Sequence, residues 1–459
     1  MITPLIKKPS LDADLLKNYR PVSNLSYISK LIEKCVLQRL NVHIRQSALD
    51  NPLQSAYKQF HSTETALIKI VDDIHKCIDQ QQSVLLILLD LSAAFDTLDI
   101  SDLLDTLWVE IGLRNNVFDW FRSYLTDRRQ AVCINGTSSD FVSMICGVPQ
   151  GSVLGPVLFI IFTRPLNAIA QKYGLCVHLF ADDTQLYISF DHSSETTIVH
   201  DIENCLDEIH NWMTLHFLKL NPDKTEVLYI GTKQQLNKIK KGSLSIGGEL
   251  IQPTNKAKNI GAIIDSTLTF ETHIKTICSS AFYQIYKLAK IKKYLTCENL
   301  KLLVHASISS RLDYHNALLY GLPQWQLQKL QYVQNASARL ITGTRKRDHI
   351  KPSLRTLHWL PINQRIKFKI LLLTFKALNS QAPQYIKDLL TPYESSRTLR
   401  SQNKSLLVIP AVKLQRTKRS FHFAAPFLWN SLPLNIKESK TLDIFKSRLK
   451  THLFEENKH

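Results

Sequence analysis

Three aspartates stand where carboxylates could meet and hold a cation. Asp90 follows the apolar run Ser83–Leu89, which is typical of a buried strand. Asp182 and Asp183 lie between two further apolar runs, a pattern that predicts a strand, a tight turn and a second strand. Taken singly, each feature has an ordinary alternative, because an aspartate commonly caps a helix and an Asp-Asp pair commonly makes a turn.

Convergence of these carboxylates would favour catalysis. If neighbouring strands bring the three side chains together, their like charges repel one another unless a cation neutralises them. In a two-metal site, one ion lowers the pKa of an attacking hydroxyl and the other stabilises a leaving pyrophosphate, and both prefer hard oxygen ligands. The pattern therefore predicts two Mg²⁺ ions, with Mn²⁺ as an alternative, held by Asp90, Asp182 and Asp183.

Regular elements that would position these residues are recognisable along the chain. Periodicity and capping residues predict helices at Tyr27–Leu40, Thr63–Ile78, Leu154–Phe162 and Arg365–Leu378, and strands at Ser83–Leu89, Leu175–Phe180, Thr184–Phe190 and Glu226–Ile230. From about residue 267 onward the apolar spacing is helical. The 365–378 helix is expected to carry Lys and Arg on an exposed face.

Several motifs resemble, in order and spacing, the reverse transcriptases of non-long-terminal-repeat (LINE-type) retrotransposons. Leu89–Asp96, Gly147–Ser152, Phe180–Asp183 and Leu220–Thr225 resemble the palm motifs of that family. Asn18–Ser23 resembles its finger motif, and Asn259–Asp265 resembles its primer-contacting strand. The C-terminal half of these elements resembles Ser310–Tyr314, Leu357–Pro361 and Leu428–Pro433. The resemblance covers nearly the whole chain. Two positions depart from the family pattern, Ile100-Ser101 in place of His-Asp and Arg164 in place of a small or uncharged residue.

The resemblance implies an α/β right-hand polymerase with an antiparallel palm sheet, a helical thumb and a mostly helical, basic C-terminal region. The implied divisions are fingers at 1–83 (open to truncation at the N-terminus), palm at 84–265, thumb at 266–345 and C-terminal region at 346–459. The chain begins almost at the finger motif, so we expect it to lack the endonuclease that such elements encode upstream.

The resemblance also assigns roles around the metal site. Asp90 and Asp182 would bridge the two ions, with Asp183 as a weaker third ligand. Lys224 would protonate the departing pyrophosphate; its alternative is an ordinary turn lysine.

Four further residues would bind the nucleotide. Gln150 and Gly151 would line the dNTP pocket, where a backbone without Cβ allows close approach. Phe95 would stack under the sugar and exclude a ribose 2′-OH, and Arg20 would clamp the triphosphate. The alternatives are a core aromatic for Phe95 and a surface arginine for Arg20.

The charge is placed unevenly. Residues 1–265 hold 25 basic and 29 acidic side chains, a net of −4, and residues 266–459 hold 32 and 10, a net of +22, which together give +18. A surplus confined to one half favours a polyanionic partner, here an RNA template and a DNA primer, over a merely solvated surface. Runs such as Arg345–Arg347 and the cations Lys413, Arg416, Lys418 and Arg419 are candidate phosphate contacts.

Other sequence features bear on location. No apolar run approaches the ~18 residues of a membrane-spanning helix, and the N-terminus shows no signal-peptide pattern. The eight cysteines are scattered without a C-x-x-C pair, which argues against structural zinc and favours reduced thiols inside a cell, in the cytoplasm or nucleus.

The predicted function is therefore that of an RNA-directed DNA polymerase that extends a primer with dNTPs by a two-metal mechanism, in retrotransposition. An RNA-dependent RNA polymerase shares the carboxylate arrangement, but Phe95 counts against it. A catalytically inactive retrotransposon remnant that binds nucleic acid is the second alternative.

Overall fold

The computed structural model describes residues 1–92, 95–394 and 405–456. The strands are β1 (Ile2–Ile6), β2 (Tyr19–Ser23), β3 (Ser83–Leu89), β4 (Leu91–Ser92), β5 (Arg129–Gln130), β6 (Cys133–Ile134), β7 (Thr137–Ser138), β8 (Val142–Ser143), β9 (Cys176–Phe180), β10 (Asp183–Phe190), β11 (Lys219–Leu220), β12 (Glu226–Ile230), β13 (Leu244–Ile246), β14 (Glu249–Ile251), β15 (Lys256–Asn259) and β16 (Ala262–Asp265).

Helices make up most of the remaining chain. They are α1 (Tyr27–Gln46), α2 (Thr63–Asp79), α3 (Ile100–Val109), α4 (Asn115–Leu125), α5 (Gly155–Phe162), α6 (Pro165–Lys172), α7 (Glu195–Leu215), α8 (Lys233–Leu236), α9 (Glu271–Ile291), α10 (Cys297–Val304), α11 (Ser310–Asp313), α12 (Gln324–Thr342), α13 (Lys351–Thr356), α14 (Ile362–Leu378), α15 (Gln384–Lys387), α16 (Phe421–Ser431), α17 (Leu434–Lys437) and α18 (Leu442–Glu456). No helix in the described ranges has the length and apolarity to cross a membrane.

A four-stranded antiparallel sheet lies at the centre, in the order β12-β3-β10-β9. Every residue of β3 is buried, because both faces of the sheet are covered. Such a strand reads as a continuous apolar run rather than as an alternation. The predicted strands of this sheet agree with the structure within a residue or so, and β12 coincides with its predicted bounds.

Two hydrophobic cores meet on β3, one on each face. Leu85, Ile87 and Leu89 point into a core formed with α3–α7. Val84, Leu86 and Leu88 point into a second core that continues through α2 and α9 to α18. Successive side chains of a strand alternate between faces, which is why one strand serves both cores.

Helix α2 joins the sheet to the C-terminal helices. It begins with a capping box, in which the Ser62 hydroxyl accepts from the Thr65 N–H and Thr65 reciprocates. The buried Asp72 carboxylate accepts the backbone N–H of His422 at 2.8 Å and its ring Nδ1–H at 3.0 Å. Burial alone would raise the pKa of Asp72, but the bonds from His422 and the charge of Lys76 hold it below its ordinary value.

Two sequence expectations need correction. The motif Asn259–Asp265 is not a single strand, because Asn259 ends β15 and a turn follows at Ile260 and Gly261, with φ of 41° and 90°, before β16. The basic residues of α14 do not form an exposed face. Three of them are half-buried and pair with carboxylates: Arg365 with Asp313, Lys367 with Glu456, and Lys369 with Glu64. The proposed divisions at 83, 265 and 345 stay predictions.

Candidate active site

Asp90 and Asp183 lie at the same end of neighbouring strands. β10 pairs with β3 so that Thr184 is opposite Leu89, and one further residue along each strand brings Asp183 beside Asp90. Asp182 occupies the turn between β9 and β10, directly after Ala181, whose φ of 58° is in the left-handed region. The fold therefore brings the three predicted aspartates to one end of the sheet; their role as metal ligands stays a prediction.

Burial and neighbouring carboxylate charges raise the pKa of Asp182 and Asp183. Burial, then the charges of Asp182 and Asp90, raises the pKa of Asp183 to about 6. Burial and the charge of Asp90 also raise the pKa of Asp182, while its own backbone N–H and the cations Lys224 and Arg20 oppose that rise. Such mutual repulsion is what a bound cation would relieve.

Lys224 is the cation in direct contact with this cluster. Its ammonium donates to Asp90 Oδ2 at 2.8 Å. The loop that carries Lys224 is fixed beside Asp90, because the Asn221 N–H donates to the Asp90 carbonyl at 2.9 Å and β11 pairs Leu220 with Leu91. The predicted fourth palm motif therefore lies against the first.

The donor set suits a hard divalent cation in its chemistry, since three carboxylates supply oxygen ligands and excess negative charge. The side chains of the described residues do not form a complete metal-coordination site. In the part of the chain that the structure describes, no group of three or more His, Cys, Asp or Glu residues is arranged to hold a metal ion. Lys224 engages Asp90 Oδ2 instead, and a cation at this oxygen would have to displace the ammonium.

The hairpin of β1 and β2 approaches the aspartates from one side. Arg20 lies on β2, and its charge lowers the pKa of Asp182. At the end of the same strand, the Ser23 N–H donates to the Gln150 carbonyl at 2.8 Å. Gly151 has a φ of 108°, and a Cβ there would lie 3.2 Å from the Ser23 oxygen. A glycine is required at this crossing of the two segments.

The loop after Gly147 is joined to the segment that follows Asp90. The Gln150 amide donates to both carboxylate oxygens of Asp96 at 2.9 Å, and the Val148 N–H donates to the Phe95 carbonyl at 2.8 Å. A Cβ on Gly147 would lie 2.6 Å from the Asp96 carbonyl oxygen, which is too close. The φ of Gly147, 79°, would also strain any residue that has a Cβ. These contacts fix Gln150 beside the first palm motif.

Phe95 is half-buried and packs on Phe159 of α5, with 4.8 Å between ring centroids and 35° between ring planes. This contact supports the ring from one side and makes Phe95 both a core neighbour and a residue at the edge of the site. The structure places Phe95 against the core, and its action against a ribose 2′-OH stays a prediction.

Comparison with known proteins decides the family. Residues 6–264 match the family model described as "Reverse transcriptase (RNA-dependent DNA polymerase)", which is more than half of the chain. This chain belongs to the reverse transcriptase family. Its relatives are RNA-directed DNA polymerases of non-long-terminal-repeat, LINE-type elements, as the sequence motifs indicated. The α/β right-hand polymerase class is likewise confirmed.

Three relatives illustrate the match. The chain is similar to the "Probable RNA-directed DNA polymerase from transposon BS" of Drosophila melanogaster, with 27% identity over 74% of this chain and 38% of the relative. It is 26% identical to the RNA-directed DNA polymerase from mobile element jockey of Drosophila funebris, over 73% and 36% of the two chains. It is 23% identical to a Pol polyprotein from type-1 retrotransposable element R1 of Bradysia coprophila, over 56% and 24%. The chain spans under two fifths of the length of these relatives.

Matches among solved structures include apo telomerase from Candida tropicalis and the RNA-dependent RNA polymerase of a human picobirnavirus. The telomerase match covers 81% of this chain and 67% of the other, at 11% identity and a TM-score of 0.40. The viral polymerase match covers 78% and 64%, at 11% identity and a TM-score of 0.34.

Sequence reasoning missed Gln54, which supports the Asp182-Asp183 turn of this reverse transcriptase. The Gln54 side chain is fully buried, accepts the Ala181 N–H at 3.2 Å, and donates to the Ala181 carbonyl at 3.5 Å. Its backbone forms a bridge with Leu179 at the free edge of β9. A polar residue in a loop carries no local signal for such a role.

Glu33 is a second missed residue. It is 1% exposed on α1 and accepts the N–H groups of Val153 and Leu154 at 2.6 and 3.1 Å. A carboxylate at that place satisfies donors that the first turn of α5 leaves unpaired. The helix that supports Phe95 is thereby anchored to the finger segment.

The two departures from the family pattern involve other contacts. Ile100 begins α3, and the Asp99 carboxylate caps that helix by accepting the Asp102 N–H. Arg164 pairs with Glu110 at 3.8 Å. Neither departure replaces a residue that touches the aspartate cluster.

Two of the cations proposed as phosphate contacts have another role. The guanidinium groups of Arg416 and Arg419 donate to the carbonyls of Thr267 and Leu268. Burial lowers the pKa of Arg419 to about 10. These two residues hold the C-terminal region against the segment before α9, and their contact with nucleic acid stays a prediction.

Proposed function

We propose that this reverse transcriptase extends a primer with dNTPs along an RNA template, as the polymerase step of retrotransposition. The observation that carries the proposal is the meeting of Asp90, Asp182 and Asp183 at one end of the central sheet. It lies within the segment that matches the family model.

We propose that Asp90, Asp182 and Asp183 hold two Mg²⁺ ions, which supply the activation of the primer 3′-OH and the stabilisation of the pyrophosphate. Lys224 leaves Asp90 when the site fills and donates a proton to the pyrophosphate. Arg20 binds the triphosphate, since its planar guanidinium matches phosphate geometry and its charge already acts on Asp182.

Phe95, Gln150 and Gly151 select and orient the nucleotide in this proposal. Gln150 is held by Asp96 and Gly151 by its crossing with Ser23. Phe95, supported by Phe159, excludes a ribose 2′-OH by steric contact. The alternative of an RNA-dependent RNA polymerase would require space where this ring stands.

Exposed pairs of an aromatic ring and a lysine on α9 and α12 support binding of template and primer. On α9, Lys287 lies 4.5 Å from the Tyr283 ring and Lys290 lies 4.5 Å from the Tyr286 ring. On α12, Lys329 lies 4.7 Å from the Trp325 ring. The two helices pack against each other. We call these six residues the α9–α12 stripe.

The stripe offers nucleic acid both kinds of contact that it needs. Lysine ammonium groups bind phosphates and release counterions, and exposed aromatic rings pack on sugars and bases. Tyr286 is 57% exposed and Trp325 is 55% exposed. A surface needed only for solubility would not expose large rings beside its charges.

Primer extension tests the proposed activity. Purified protein should extend oligo(dT) on poly(rA) with dTTP and Mg²⁺. Asp182→Ala should lower that rate by at least about a thousandfold while the affinity for template–primer stays within about twofold, because it removes the electrostatic centre of the reaction.

Asp223→Ala is the matched control, since Asp223 is an exposed carboxylate beside Lys224, and it should retain extension. Binding of template–primer without extension by the wild type would favour the inactive remnant instead.

A further inference from the structure

The short helix α15 in the C-terminal region reaches the strand that carries the Asp182-Asp183 turn. Tyr385 on α15 is 5% exposed, and its ring meets the His178 ring of β9 edge-on with 5.2 Å between centroids. The Tyr385 hydroxyl lies 2.8 Å from Ser55 Oγ, and Ser55 Oγ lies 2.8 Å from His178 Nε2. Tyr385 is outside residues 6–264, which match the family model.

The side chains of this group are joined by a continuous series of hydrogen bonds. Thr65 Oγ1 donates to the Ser62 carbonyl at 2.9 Å and accepts from the Tyr385 hydroxyl at 3.0 Å. The Tyr385 hydroxyl therefore bridges Thr65 Oγ1 and Ser55 Oγ, and Ser55 Oγ in turn lies within hydrogen-bond distance of His178 Nε2. Burial lowers the pKa of His178 to about 3, so the ring is neutral.

Ser55 belongs to the segment that lines the free edge of β9. Its N–H donates to the Leu179 carbonyl at 2.9 Å, and the Leu179 N–H donates to the Leu53 carbonyl at 2.9 Å. Gln54, between them, holds both the N–H and the carbonyl of Ala181. The residue next to Asp182 is therefore fixed by a segment that Tyr385 holds in place.

We propose that Tyr385 is a positioning residue for the catalytic turn. Through Ser55 it fixes Gln54, and through Gln54 it fixes the backbone of Ala181 and with it the carboxylates of Asp182 and Asp183. The C-terminal region thus contributes to the geometry of the polymerase site, as well as to the core. The kinetic consequence rests on the proposed polymerase function, whereas the structural consequence does not.

The alternative is that Tyr385 contributes only to packing of the hydrophobic core. The variant Tyr385→Phe separates the two readings, because it keeps the ring and removes the hydroxyl. Tyr320→Phe is the matched control. Tyr320 is partly buried against the same core, burial raises its pKa, and the structure shows no hydrogen-bond partner for its hydroxyl within the described ranges.

Hydrogen–deuterium exchange on the full chain measures the turn directly. In Tyr385→Phe, the peptide 176–184, which contains the amides of Leu179 and Ala181, should exchange about five- to tenfold faster, the factor that matches the loss of one hydrogen bond. The peptide 226–230 in β12 should be unchanged. Tyr320→Phe should match the wild type in both peptides.

Two further measurements test the chain of contacts. Ser55→Ala combined with Tyr385→Phe should exchange no faster than either single variant, since both break the same connection. In primer extension, Tyr385→Phe should lower kcat by about ten- to a hundredfold, the cost of a small misplacement of catalytic groups. Its template–primer affinity and its KM for dNTP should stay within about twofold of the wild type.

The outcomes are distinguishable. Wild-type exchange at 176–184 in Tyr385→Phe would overturn the inference, as would equal acceleration of every peptide or equal effects of Tyr320→Phe. If the wild type extends no primer but the exchange at 176–184 rises as expected, the positioning inference stands and the proposed polymerase function fails.

Discussion

The ammonium of Lys224 lies 2.8 Å from the carboxylate of Asp90, next to two aspartates whose pKa is raised by burial and by neighbouring carboxylate charges. A protein cation thus neutralises part of a charge that metal ions would otherwise balance. The Lys224 side chain is 63% exposed, so the pair is weak enough to open. Lys224 and an incoming cation compete for the same oxygen.

Removing Lys224 should therefore tighten the binding of Mg²⁺ in the absence of substrate. In Lys224→Ala, calorimetric titration should give a Mg²⁺ dissociation constant about two- to fivefold lower, the range expected for losing a competing surface ion pair. Primer extension should slow at the same time, since the proton donor is gone. Lys219→Ala, an exposed lysine on neighbouring β11, serves as control. An unchanged Mg²⁺ affinity in Lys224→Ala would show that the ion pair does not compete.

Phe95 should determine the choice of sugar. Phe95→Ala should raise the ratio of rNTP to dNTP incorporation by about ten- to a hundredfold, because the steric contact with a 2′-OH is lost. Phe95→Tyr keeps the ring and should keep the wild-type ratio. The measurement is single-nucleotide addition with matched rNTP and dNTP. A ratio that stays constant in Phe95→Ala would leave Phe95 as a core aromatic only.

The α9–α12 stripe should contribute to affinity in two separable ways. The double variant Lys287→Ala and Lys290→Ala should make the slope of log K against log [salt] less steep by about 1.4 to 1.8, because two phosphate contacts are lost. Tyr283→Ala with Tyr286→Ala should weaken binding and leave the slope unchanged. Lys233→Ala with Lys238→Ala, two exposed lysines elsewhere, should leave both unchanged. Equal slopes in all three pairs would remove the stripe from the interface.

Buried neutral histidines should make this protein sensitive to acid above the range where most carboxylates titrate, although Asp183, with a pKa of about 6, contributes in the opposite sense. Burial lowers the pKa of His75 and His178 to about 3 and of His273 and His315 to about 4. An unfolded chain protonates these rings near pH 6.5 and the folded chain does not. Stability is therefore unaffected above that pH and falls below it, by up to about 1.4 kcal/mol per pH unit for each histidine, until about pH 4.

Urea unfolding between pH 7.5 and 4.5 measures this effect. The variant His273→Gln should reduce the slope of the unfolding free energy against pH by about one proton. A flat profile down to pH 5 would contradict the burial of the neutral rings.

The parts of the fold that sequence reasoning reached are those with local signals. β3 and β12 are short apolar runs with polar ends, and the turn at Asp182 is marked by its flanking strands. The approach of these strand ends is expected because the order of the motifs indicates which strands pair.

The parts that sequence reasoning did not reach depend on distant contacts. Gln54 and Tyr385 are separated by most of the chain, and nothing near either residue indicates their common role at β9. Arg416 and Arg419 look in sequence like solvent-facing cations, yet each finds a backbone carbonyl before α9. Charge counts cannot distinguish a guanidinium that binds phosphate from one that satisfies the protein's own backbone.

The core that runs from α2 to α18 has a consequence for how the protein is made. β3 is synthesised after α2, which packs on it, but the core that its Val84–Leu86–Leu88 face joins also includes later helices as far as α18. Until translation has delivered those helices, this core stays incomplete and its apolar side chains are exposed to other nascent chains, which invites aggregation and chaperone binding. Since Tyr385 also emerges late, a ribosome that stalls early releases a chain whose catalytic turn has not been locked. Aborted translation products should therefore be poor at copying whatever RNA lies near them.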